Sequence, residues 1–494
     1  MSTEKARFAR RRRRGPNPGI VVSCAPMEQP TTLVPGARDA PGKGEPERSQ
    51  RISIFEGSLA TVHITISSGA LVTAYALMLG ADDFHLGLLA ALTALSTVGA
   101  IMGAQVVGRF GGRKPVALIA SVSGRVLWAA LCVLPFMRIP IEAKLALFLA
   151  TVFVGNSLVN LSGTAWLSWM TDLVPIERRG RYFGVRNTVL GTVGMVTTFA
   201  TGWIFDTFVG HGRRPEGLAW IFGAAALFAI LAGAVLSRQW EPPLRGERLR
   251  PILETLRRPF GDRRFRKLLG FLALWSMATG VAGPFFAAHM IKNLHMSFTR
   301  IAVYSILAGV MNLVTQPLWG KVIDRVGNRP VLAFNLAGVV ILPLLWLFTR
   351  PTRLWPIWTD ATLTGVFWPG FTLASFNLIL ATAPERDRTA YLGMQGMAVG
   401  VSAFVASLIG GLVAKALGGF HVVLFGQTLV NFHVLFVVSA VARIALLPLA
   451  LGLGEERAQT VEALLDLVGD KVSQRFQEGL QSGVAIIKRI GGGQ

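Results

Sequence analysis

Gly320-Lys321-Val322-Ile323-Asp324-Arg325-Val326-Gly327-Asn328-Arg329-Pro330 is a polar loop between two long apolar runs. A related loop stands earlier, Gly108-Arg109-Phe110-Gly111-Gly112-Arg113-Lys114-Pro115. A second pair repeats in the same way. Pro175-Ile176-Glu177-Arg178-Arg179-Gly180-Arg181-Tyr182-Phe183-Gly184 and Pro384-Glu385-Arg386-Asp387-Arg388-Thr389-Ala390-Tyr391-Leu392-Gly393 share their Pro, Arg, Tyr and Gly positions. Apolar bias cannot create matches in polar loops, so the chain reads as a duplicated unit.

Around these loops lie twelve apolar runs, near 52–79, 86–108, 115–137, 143–170, 185–209, 217–237, 268–291, 299–322, 331–349, 354–382, 391–417 and 422–453. A bilayer core of about 30 Å needs about 20 apolar residues in a helix, and each run is near that length. Composition agrees. Hydrophobic residues are 52% of the 494, charged residues only 15%, and mean hydropathy is +0.51. Such a chain is neither a water-soluble enzyme nor disordered throughout. The expected fold is an all-α membrane protein of twelve transmembrane helices, built as two six-helix bundles related by pseudo-twofold symmetry. The expected parts are a disordered basic tail (1–51), the first bundle (52–237), a basic cytoplasmic linker (238–267), the second bundle (268–453) and an amphipathic tail (454–494).

The net charge of +22 raises nucleic acid as a partner, but its position argues otherwise. Eleven Lys/Arg fall in 1–51 and ten in 238–267, without interleaved aromatics or a nucleic-acid module. A solvated basic segment beside anionic lipid headgroups is the simpler reading. No apolar core follows Arg10–Arg14, which argues against a cleaved signal, and Met27 is a second possible start. Loop charge sets orientation. The loops after spans 2, 4, 6, 8 and 10 hold most of the Lys/Arg, whereas those after spans 1 and 11 hold none. Both termini are expected in the cytoplasm, in a bacterial inner membrane. In the last segment Leu465, Val468, Val472, Phe476 and Leu480 share a helical face that suits a membrane surface or the cytoplasmic loops.

On these loops the sequence resembles the major facilitator superfamily of secondary transporters, over roughly 52–453. The most specific element is Gly-x-x-x-Asp-Arg-x-Gly-x-Arg at 320–329. The first copy departs from it, with Gly108 where Asp is expected and Ala104 in place of the leading Gly. The resemblance implies alternating-access transport of a small molecule, with spans 1, 4, 7 and 10 around a central cavity. It also places Asp324 against the cytoplasmic start of span 5, near Arg181 and Arg186, as a gating contact. Helix N-termini favour such a carboxylate. Arg109, Arg113, Arg325 and Arg329 belong to the same cytoplasmic gating region; the simpler alternative is that they set topology and reach headgroups.

Polar groups at bilayer depth are the candidate site residues. In span 1, Glu56 lies near the cytoplasmic entrance and His63 about 10 Å deeper, on one face. His63 is a substrate ligand or proton carrier, or else a packed neutral ring. In span 10, Asp360 and Trp368 share a face, and Trp368-Pro369-Gly370 should kink the helix and bare carbonyls toward a cavity. Asn156 and Asn160 in span 4 bind a ligand or join helices. Phe285 follows a similar Gly283-Pro284 break. For Arg125 and Arg443, pairing or snorkelling is the favoured reading. Gly191, Gly194, Gly202, Gly396 and Gly400 permit close helix approach, and span 5 lacks the glycine–proline signature of the family's proton-driven drug exporters.

Cys24 and Cys132 make no disulfide framework, and no metal-ligand spacing or nucleophile motif stands out. Neither a cofactor nor enzymatic chemistry is expected. The expected partners are a small solute, protons as coupling ion and the bilayer, around a monomer. The alternative is a transporter fold used to assemble other membrane components, with its cavity filled by aromatic packing.

Overall fold

The computed structural model describes residues 44–243, 258–384, 387–424 and 427–453. The expectations for the basic tail, most of the linker and the amphipathic tail fall outside the described residues. Within them, eleven helices are long and apolar enough to span a membrane, and a bent pair makes the twelfth. The first half holds α1 (Glu45–Ile66, resumed as Ala70–Met78), α2 (Asp83–Phe110), α3 (Arg113–Phe136), α4 (Ile141–Leu173), α5 (Arg179–Gly210) and α6 (Arg214–Leu236). The second half holds α7 (Arg263–Lys292), α8 (Phe298–Val326), α9 (Asn328–Phe348), α10 (Trp355–Thr382), α11 (Arg388–Ala416) and α12 (Asn431–Leu451). A hairpin of β1 (His421–Leu424) and β2 (Gln427–Val430) joins α11 to α12.

Span 1 is not one straight helix. It bends by 42° at Ser67-Ser68-Gly69, where Gly69 takes φ 69° and ψ −145°, a conformation that glycine alone adopts cheaply. Other ends follow local capping rules. Asp82 accepts the His85 N–H at the start of α2, and Asp262 accepts those of Arg264 and Phe265 at the start of α7.

The proline kink expected in α10 does not open carbonyls to a cavity. Pro369 leaves the Gly365 carbonyl without its helical donor, and Thr315 Oγ1 of α8 supplies one at 2.7 Å. The same arrangement recurs four residues before other prolines. Ser407 donates to Gly280 O before Pro284, and Tyr75 Oη donates to Leu131 O before Pro135. Arg443 Nη1 donates to Val339 O before Pro343. Each freed carbonyl thus becomes a bond between helices.

The duplication is visible in contacts as well as in sequence. Lys114, just before Pro115, donates to Gln239 O beyond α6. Arg329, just before Pro330, donates to Leu451 O at the end of α12.

Candidate functional site

Among the described residues, the loops rich in Lys and Arg lie at one end of the helices, called here the basic side. At the opposite, far side, three aspartates of the first half bind the second. Asp83 accepts Lys292 Nζ at 2.6 Å and Asn431 Nδ2 at 2.7 Å. Asp82 pairs with Lys415 at 2.9 Å. Asp206 takes the Phe298 and Thr299 N–H groups at 2.8 and 2.7 Å and the Thr299 hydroxyl at 2.6 Å. These two N–H groups open α8, where backbone donors lack helical partners and the dipole favours a carboxylate. The helices come close there: a Cβ at Gly202 would stand 2.7 Å from Phe298 O. Slight burial of Asp82 works against its charge. The His85 N–H, Lys415 and the His85 ring outweigh it and bring the carboxyl down to about 2.

The basic side differs. Asp324, Arg325, Arg181 and Arg109 are all exposed, and among the described residues Asp324 makes no hydrogen bond or ion pair. The expected contact of Asp324 with Arg181 or Arg186 is not made in this state. Arg186 instead turns into its own half, with its guanidinium 4.3 Å above the Trp166 ring. Arg113 does not reach to headgroups. It is 2% exposed and ties α3 to the Asp172 carboxylate, Ser168 O and Pro242 O, while Glu241 takes its N–H at 2.6 Å. A guanidinium buried this deeply needs that many acceptors. Arg329 is also held within its own half.

Between the far-side closure and the basic side lies an open cavity of about 400 Å³ lined by α1, α5 and α8. It sits against the break in α1. Thr65, Ser68, Thr198, Thr201 and Ser305 bring hydroxyls to its wall, with Met195 and Phe298 among its apolar lining. Among the described residues that line it, none is ionisable. A second space, of about 300 Å³, lies among α7, α10 and α11, lined by Trp368, Trp275 and Gln395.

The sequence candidates are mostly elsewhere. Glu56 and His63 do share a face, but that face carries the buried stripe of α1, and its neighbours Ile64, Thr65 and Ser68 look into the cavity. Glu56 is buried 3.6 Å from Arg125 of α3, and His63 packs edge-on to Trp128. Phe285 is fully buried against Phe432. Asp360 is buried and accepts the Tyr304 hydroxyl at 2.7 Å. Asn160 bonds Ser96 of α2 at 3.1 Å, as a bridge between helices. Asn156 is half-buried and makes no hydrogen bond among the described residues. Of the set, Trp368 lines the second space. Apolar bundles pair their charges internally, which draws these groups away from water.

Three features went unread in the sequence. Ser67-Ser68-Gly69-Ala70, a small polar interruption inside an apolar run, marks the helix break. Asp82-Asp83 read only as a loop. Asp206, near the end of span 5, carried no local signal.

The sequence model of the Major Facilitator Superfamily matches residues 57–281 and 267–473. The class H tetracycline resistance protein of Pasteurella multocida is 27% identical over 154 residues, 31% of this chain and 34% of that protein. The staphyloferrin B transporter of Staphylococcus aureus is 29% identical over 175 residues, 33% of this chain and 41% of that protein. Both matches thus span less than half the length of the relative. A crystal structure of a D-xylose-proton symporter superposes with a TM-score of 0.63 at 15% identity, covering 83% of this chain and 98% of that one. With two copies of the family pattern laid over twelve spans, this multi-pass membrane protein belongs to the Major Facilitator Superfamily.

Proposed function

We propose that the chain carries a small solute across a bacterial inner membrane by alternating access, with its basic side in the cytoplasm, and that the state described here faces inward. One observation carries this reading. The halves are joined by charged contacts at the far side, while Asp324, Arg325, Arg181 and Arg109 stand exposed at the other. A hydroxyl-lined cavity between the halves supports transport over a scaffold, whose cavity aromatic side chains would fill; one aromatic ring, Phe298, lines this one. Proton coupling is placed at Asp360. Its partner Tyr304 is adjacent to Ser305 on the cavity wall, so a change of charge at the carboxylate reaches α8.

The test is a metabolite panel in proteoliposomes, with and without a pH gradient. A panel member should accumulate when the gradient is imposed. Asp360→Asn should abolish that accumulation but retain exchange of labelled for unlabelled solute. Accumulation that survives the substitution removes Asp360 from coupling. A panel that shows neither accumulation nor exchange counts against transport.

A further inference from the structure

The cavity wall carries no charge, but charge stands further toward the basic side along α5 and α1. Arg186 lies five residues before Gly191 of the cavity wall, about 7.5 Å along α5. It remains half-buried, stacked on Trp166 and packed against Gly57, where a Cβ would stand 2.6 Å from Nη2. Arg125 lies deeper, 8% exposed. One carboxylate, Glu56, faces both guanidiniums. The other titratable groups nearby are Tyr182, beside Arg186, and His63, beside Arg125. Neither brings a negative charge at neutral pH. Among the described residues, two cations therefore share one anion inside an apolar bundle.

Hydrogen bonding shows the same deficit. Among the described residues, Nε and Nη1 of Arg125, Nε of Arg186 and Nε1 of Trp166 are buried donors without acceptors. The Glu56–Arg125 contact of 3.6 Å is an ion pair too long for a hydrogen bond. Leaving a charge and several donors unmet at bilayer depth is costly unless an occupant meets them. Arginine suits that task, since it stays charged and its planar fork grips carboxylate and phosphate oxygens.

We infer that Arg186, backed by Arg125, takes the anionic group of the transported solute, a carboxylate or phosphate, while the uncharged remainder enters the hydroxyl-lined cavity. This rests on the transport reading above. Arg186 is then a specificity-determining residue, and Glu56 lowers the net positive charge to one, enough to attract a single anionic group and still release it.

The experiment places one thiol on the cavity wall, Ser68→Cys, in a chain carrying Cys24→Ser and Cys132→Ala, reconstituted in phosphatidylcholine. The thiol is reacted with anionic sulfonatoethyl methanethiosulfonate and with cationic trimethylammonioethyl methanethiosulfonate. Each rate is divided by that reagent's rate with a free thiol in solution. The normalised rates should favour the anion by about tenfold, the low end for a cleft lined by one sign of charge. Arg186→Gln should erase the preference, Arg186→Lys should keep most of it, and added salt should reduce it. Equal normalised rates in the parent chain overturn the proposal while leaving access intact. So does a preference indifferent to salt, a reading that holds even where Arg186→Gln fails to fold. A thiol that reacts with neither reagent, at Ser68→Cys and again at Thr198→Cys, overturns the access reading instead. Adding phosphatidylglycerol separates the two sources of the anion. A preference that persists supports a solute, whereas one that collapses assigns the site to a lipid headgroup and overturns the solute proposal.

Discussion

Glu56 illustrates how much a single position depends on its surroundings. A glutamate in an apolar run is a functional candidate on cost alone, yet here its first task is to neutralise Arg125. Removing one partner of a buried pair leaves the other uncompensated, so Glu56→Gln should destabilise the chain by about 3 kcal/mol. Thermal unfolding in detergent checks this, and an unchanged midpoint would show the pair to be dispensable. Asp82 gives the opposite case, a half-buried carboxylate with a defined pH window. Its folded value of about 2 lies below the ordinary 3.8, so its contacts stabilise the closed far side above the ordinary value and fade as pH falls through about 2. A spin-label distance across the far side should therefore stay constant from about pH 8 to about pH 5 as far as this pair is concerned. A transition inside that range would show that another group controls closure.

At the level of elements, prolines and broken helices do more for packing than for the cavity. Each freed carbonyl is an acceptor that the bilayer cannot satisfy, so a neighbouring helix must supply a donor. Thr315, Ser407, Tyr75 and Arg443 fill that need. Thr315→Val keeps shape and removes the donor, and should cost about 1 kcal/mol. Thr315→Ser should restore most of it, measured by the same melts. The interruption that does open onto the cavity is that of α1, and it uses Gly69 rather than proline. An alanine there would carry about 1–2 kcal/mol of backbone strain. Gly69→Ala should slow exchange of any panel solute while membrane insertion stays normal; an undiminished rate would mean the bend is not needed.

Across the whole molecule, the two sides carry unequal latches. The far side is closed by three aspartates, and Asp206 caps α8 across the boundary between halves. Of the two related loops on the basic side, only the second carries the Asp, because the first copy has Gly108 in that position. On the transport reading proposed above, that asymmetry favours the inward-facing state. Asp206→Asn removes the charge from the α8 cap, worth about 1 kcal/mol, and should move the population toward the outward state by about fivefold. Distances between spin labels on the far side would report it. A distribution unchanged from the parent would mean that apolar packing of α2 against α11 closes this side by itself.

The sequence by itself determined the spans and the duplication, because these depend on local apolar length and on repeated polar residues. It also marked which side chains were too costly to bury alone. Where those side chains point was decided only by tertiary structure. Glu56 and Thr65 lie on the same helix, and a rotation set by packing against α6 sends one to Arg125 and the other to the cavity. The partners of Asp206 and Asp83 belong to the other half of the chain. Periodicity gives a residue its face on a helix; which neighbour that face meets depends on how twelve helices share their buried surface.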